Sequence, residues 1–130
     1  ILFDAQGQAP RWLEAGPDGN GAVVSLVAAD EREVWIGRDN GLELRDAASG
    51  VLQRRLQRDL RQPWGLGGNN VVALLRDRTG ALWVGSYGGG LQRHSPATAL
   101  WVRRGEPPDD GVMAEADTRA LLRLASGEIW

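Results

Sequence analysis

A chain of 130 residues, 42% hydrophobic and 25% charged, has room for one ordinary core and the composition of a globular protein. Fifteen arginines, no lysine and 17 acidic residues leave a net charge of −2, which excludes the basic footprint that nucleic-acid binding needs. The lack of cysteine excludes disulfides and thiolate metal sites, and no run reaches the ~18 apolar residues of a membrane helix, so no membrane contact by this segment is expected.

The opening stretch, ILFDAQGQAPRW, reads as the tail of a repeat whose fuller copies come later, because Leu2-Phe3-Asp4 falls where Leu44-Arg45-Asp46 recurs. Residues 1–15 are therefore expected to supply strands three and four of a first unit. The next stretch, VVSLVAADEREVWIG from Val23, aligns with VVALLRDRTGALWVG from Val71 and with RALLRLASGEIW from Arg119. Trp35, Trp83 and Trp130 follow at intervals of 48 and 47 residues. Self-similarity at such a period marks a repeat architecture.

Each copy holds four short runs separated by turn signals. In residues 69–105 the first is Val71–Leu75, almost continuously apolar, as in a strand covered on both faces. Thr79-Gly80 makes a turn, Ala81–Gly85 is the second run, and Ser86–Gly90 turns again. Asp39-Asn40-Gly41 at the matching point of residues 22–57 is a strong hairpin signal. The third run, Leu91–His94, is more polar. The fourth ends in Arg103-Arg104, as Arg54-Arg55 ends the earlier copy, and charge there keeps an edge strand from pairing with another molecule. No run has the length or the period of a helix. Residues 117–130 are expected to give strands one and two of a last unit.

Four short antiparallel strands in about 48 residues, with polarity rising outward, is the pattern of a β-propeller blade. The expected fold is all-β: a propeller fragment with about three blades' worth of strands, open at both ends. The missing blades would come from its own parent chain. The linkers Arg58–Gly68 and Gly105–Glu115 join the blades.

The segment from Asn69 through Asp77, Gly80, Trp83 and Gly85 to Gly89-Gly90-Leu91 resembles the two-component regulator propeller repeat. The copy at 23–46 shares Val34-Trp35-Ile36-Gly37 and Asn40-Gly41-Leu42, but has Ala29 in place of the aspartate and Glu31-Arg32 in place of the glycine turn. The last copy keeps the turn and Trp130 and has Leu124 in place of the aspartate. The resemblance implies the periplasmic sensor of a bacterial inner-membrane receptor, homodimeric, with a histidine kinase, a hybrid kinase-regulator or a diguanylate cyclase as output. It implies a small-molecule or oligosaccharide ligand, no cofactor and no catalysis in this region. A streptogramin-lyase-like propeller enzyme and a protein-interaction propeller are the alternatives, since fold alone does not choose among them.

Recurrence at one point of every blade marks Trp35, Trp83 and Trp130 as packing residues, with Asp77 and Gly80 building a turn and Gly85 a repeat position. His94, the only histidine, is expected on an exposed outer strand, where Ser95 beside it gives no catalytic geometry. Asp109-Asp110 offer too few oxygen ligands for a metal site. Ligand-binding residues are sought among the side chains that do not recur: Arg38 and Asp39 for polar groups, Arg61 for an acidic group, Trp64 and Tyr87 for stacking. Counting turns puts all five on one face of the ring, opposite the turns at Glu31-Arg32, Thr79-Gly80 and Ser126-Gly127.

Overall fold

The computed structural model describes residues 21–62, 65–95, 101–104 and 118–130. The expected strands at 1–15, together with Trp64 and Asp109-Asp110, lie outside them. The described residues form two four-stranded antiparallel sheets joined in strict meander order. The first sheet holds β1 (Val23–Ala28), β2 (Glu33–Arg38), β3 (Gly41–Asp46) and β4 (Leu52–Leu56). The second holds β5 (Asn70–Arg76), β6 (Leu82–Tyr87), β7 (Gly90–His94) and β8 (Trp101–Arg104). These are two propeller blades. Among the described residues no helix is long and apolar enough to cross a membrane.

The repeat is copied below the level of residue type. The β1–β2 ladder shifts register between Val23 and Ser25, and the β5–β6 ladder shifts between Val71 and Ala73, at the matching position. A bulge there bends the first strand of each blade in the same way. The repeated Trp-x-Gly has a steric reason. A Cβ on Gly37 would stand 2.7 Å from Val71 Cγ1 and 2.9 Å from the Val71 carbonyl oxygen. A Cβ on Gly85 would stand 2.5 Å from Thr118 Cγ2. In each copy the second strand is bare where the chain of the next unit crosses it.

The core lies between the two sheets. Trp35 and Leu42 from the first meet Val71, Leu82 and Val84 from the second, with Leu66 of the linker closing one end. Both faces of β3 are buried, since Leu42 points to this core while Glu43 and Arg45 are 1% and 2% exposed on the other side. There Glu43 Oε2 accepts a hydrogen bond from Arg45 Nε at 2.8 Å and pairs with Arg38 Nε at 2.9 Å. Burial alone would raise the Glu43 carboxyl, but the Arg45 and Arg38 hydrogen bonds outweigh it and hold the group below its ordinary value.

Cover on both faces, expected of the first apolar run of a copy, holds better for β5, where Val71 is fully buried, than for β1, whose Val23, Val24 and Leu26 are 44–60% exposed. Residues 118–130 form a hairpin with one bridge, Arg123 to Ile129, flanked by Leu122–Trp130 and Leu124–Glu128 backbone hydrogen bonds.

Candidate ligand-binding faces

The turns 38–41 and 86–90 and the linker 57–69 gather at one end of the blades, as turn counting requires. Gln57 Nε2 donates to the Asn40 carbonyl at 3.0 Å, and the Asp39 amide donates to the Ala22 carbonyl at 3.3 Å. The linker is a closed loop: the Arg58 amide donates to Asn69 Oδ1 at 2.6 Å, tying its two ends together. Its second half is held by Gln92, 1% exposed on β7. Gln92 Oε1 accepts from the Gly67 amide at 2.5 Å, and Nε2 donates to the Gly65 carbonyl at 3.0 Å.

On this face Asp39, Arg61 and Tyr87 are exposed, Tyr87 by 54%. No hydrogen bond or ion pair joins them to one another among the described residues. Arg38 stands apart from them. It is the last residue of β2, paired across the ladder with Gly41, and only 8% exposed. Its guanidinium is occupied by Glu43 and by the Gly21 carbonyl, to which Nη1 donates at 2.6 Å.

The opposite end carries the turn 77–81. Asp77 Oδ1 accepts from the Thr79 amide at 2.9 Å, the Thr79 hydroxyl at 2.6 Å and the Ala81 amide at 3.0 Å. Oδ2 accepts from Trp83 Nε1 at 2.8 Å and faces Arg93 Nε at 3.4 Å. Gly80 completes the turn with φ at 82°. Burial would raise the Asp77 carboxyl, yet the Thr79, Trp83 and Ala81 hydrogen bonds hold it well below the usual carboxylate range. The three tryptophans differ. Trp35 is buried, Trp83 is half-buried with Arg93 5.9 Å over its ring, and Trp130 is 75% exposed.

Between the blades, at this same end, lies a cleft of about 320 Å³. Its walls are two cross-strand rows. Trp35, Leu44 and Arg54 are successive neighbours across β2, β3 and β4, and Arg76, Leu82 and His94 are neighbours across β5, β6 and β7. Asp30 and Glu33 stand at the mouth. His94 is therefore not the exposed outer-strand residue expected from sequence. It is 9% exposed, with its ring 4.6 Å from that of Trp101, because the row it belongs to faces the neighbouring blade. Burial lowers its pKa, and the charge of Arg54 lowers it further. Among the described residues no group of three or more His, Asp or Glu could hold a metal ion.

Sequence reasoning missed the cleft and the Gln92 clasp. A row whose successive members lie 6 to 12 residues apart becomes a wall only once the strand register is known. Glu43 and Arg45 had a readable signal: opposite charges two apart on one strand share a face.

Residues 65–88 match the family described as Two component regulator propeller. They span the end of the linker, all of β5 and β6, and the start of the turn that follows. Among solved structures, the chain is similar to the extracellular domain of a hybrid two component system from B. thetaiotaomicron. The TM-score is 0.72 and the identity 21%, over 98% of this chain and 17% of that one. The chain thus spans about one sixth of that structure, and the likeness is one of propeller fold. No curated protein matches the chain.

Proposed function

We propose that this chain is part of the sensor region of a bacterial signalling receptor, reading a ligand on the outer side of the membrane for a histidine kinase, hybrid kinase-regulator or diguanylate cyclase output. The observation that carries the reading is the family match at 65–88, which falls on a complete strand–turn–strand of a folded blade. The similar structure, an extracellular domain of a hybrid two component system, supports the same role. In this reading the region recognises and does not catalyse. His94 belongs to β7 and packs against Trp101, whereas the alternative lyase reading would need a histidine in an inter-strand loop. The contacts to a small molecule or oligosaccharide come from Asp39, Arg61 and Tyr87, whose exposed side chains share one face with a loop pinned at both ends. A loop tied at both ends loses little freedom on binding.

The test is the set Asp39→Ala, Arg61→Ala and Tyr87→Ala in the whole protein, with output and thermal melting both measured. Exposed positions of this kind shift stability by no more than about 0.5 kcal/mol. The expected outcome is unchanged melting and a response that needs at least roughly tenfold more ligand, the equivalent of about 1.4 kcal/mol. Full response from the triple variant would overturn the assignment of this face.

A further inference from the structure

The cleft at the other end of the blades is chemically distinct. Its floor is apolar, with Trp35 9% and Leu82 3% exposed and Leu44 beside them. Its rim carries both signs of charge. Arg54 and Arg76, both exposed, have no acidic partner among the described residues, and Glu33 has no cationic one. Asp30 spends Oδ1 on its own turn, accepting from the Arg32 amide at 2.7 Å and the Glu33 amide at 2.9 Å. Opposite charges that line one opening without bridging each other are free to be met by a guest. A simple anion would be drawn by the arginines and opposed by Glu33 and Asp30. A simple cation would meet the reverse. A molecule carrying both charges satisfies both, and an apolar side chain would displace water from Trp35, Leu44 and Leu82. The volume of about 320 Å³ is at the small end for ligand sites.

From this juxtaposition we infer that the inter-blade cleft is a second binding site, for a zwitterion: a free α-amino acid or dipeptide with an apolar side chain. Its carboxylate meets Arg54 and Arg76, its ammonium meets Glu33, and its side chain rests on the Trp35–Leu44–Leu82 floor. This goes beyond the sensor reading, since it uses other residues at the opposite end of the blades, and it can stand or fall independently.

The experiment is isothermal titration calorimetry on the whole protein with L-leucine, L-phenylalanine and leucyl-leucine. N-acetyl-leucine, which lacks the ammonium, and leucinamide, which lacks the carboxylate, are the controls. Saturable binding by the zwitterions is expected, with each control weaker by at least roughly tenfold. Arg54→Gln with Arg76→Gln should abolish the preference for leucine over leucinamide and spare the preference over N-acetyl-leucine. Glu33→Gln should do the converse. Both variants change only exposed or half-buried rim residues, and a thermal melt checks that they fold. The Asp39→Ala, Arg61→Ala, Tyr87→Ala variant should bind as the wild type does. No binding of any zwitterion at roughly 10 mM, equal binding of the controls, or loss of binding on the Asp39 face would each overturn the inference.

Discussion

Asp77 gathers more hydrogen bonds than any other side chain described, and its removal gives a sharp test of what holds a blade together. In Asp77→Ala the Ala81 amide and Trp83 Nε1, both partly buried, lose their acceptor. An unsatisfied buried donor costs about 1–3 kcal/mol. The Thr79 amide and hydroxyl are exposed and turn to water at little cost. The expected loss is about 3 kcal/mol, and Asp77→Asn should lose roughly half of that. The amide oxygen can keep the turn bonds, while its NH2 group would face the donors Trp83 Nε1 and Arg93 Nε. Global unfolding of a repeat protein is often not two-state, so the assay is native-state hydrogen exchange in the whole protein, read at the Ala81 amide and across β6. A loss of about 3 kcal/mol accelerates exchange roughly a hundredfold. Exchange within twofold of the wild type would refute the reasoning. The pH dependence has a definite sign. The folded carboxyl titrates well below its unfolded value of about 3.9. Its contribution is therefore fully present above that value and is lost as pH falls through the folded one. The difference between wild type and Asp77→Asn should hold steady down to about pH 4 and close below it.

Trp35→Ala empties a buried aromatic site and should cost about 3–5 kcal/mol by exchange in β2 and β5. Trp83→Phe keeps most of the packing of a half-buried ring and should cost about 1 kcal/mol through the lost bond to Asp77, and a larger loss would mean that the ring packs more than its exposure shows. Gly37→Ala forces a methyl into Val71, an overpacking worth about 1–3 kcal/mol, and should strip protection from β5 while leaving β3 and β4 intact. Gln92→Leu leaves the Gly65 carbonyl and the Gly67 amide without partners. Exchange at Gly67 should rise at least roughly tenfold, with little change at the Ala81 amide in the far turn.

The strands were legible because each level of the sequence agreed. Apolar runs, turn residues and tryptophan spacing all marked four strands per copy, while the reason for the glycine of Trp-x-Gly came only with the packing of Val71 against Gly37. The candidate face was legible only in part. Arg38 precedes Asp39-Asn40-Gly41 and so looked like a turn residue, yet the ladder runs on to Arg38 and lays its side chain against Glu43. His94 looked like an outer residue because its strand is polar. Alternation places it on the inward side, in one row with Leu82 and Trp101. The cleft was not legible at all, since its two walls belong to rows of residues that only strand register and sheet packing bring face to face.

That these blades receive the signal is tested most directly by hydrogen exchange on the whole protein, recorded with each compound of a panel of oligosaccharides and amino acids, beside the signalling output of the same samples. The compound that changes output should slow exchange at the turns 38–41 and 86–90 and at the linker amides 58–62, and the Asp39→Ala, Arg61→Ala, Tyr87→Ala variant should show neither effect. A compound that triggers full output while exchange throughout these blades stays as it was would contradict the account.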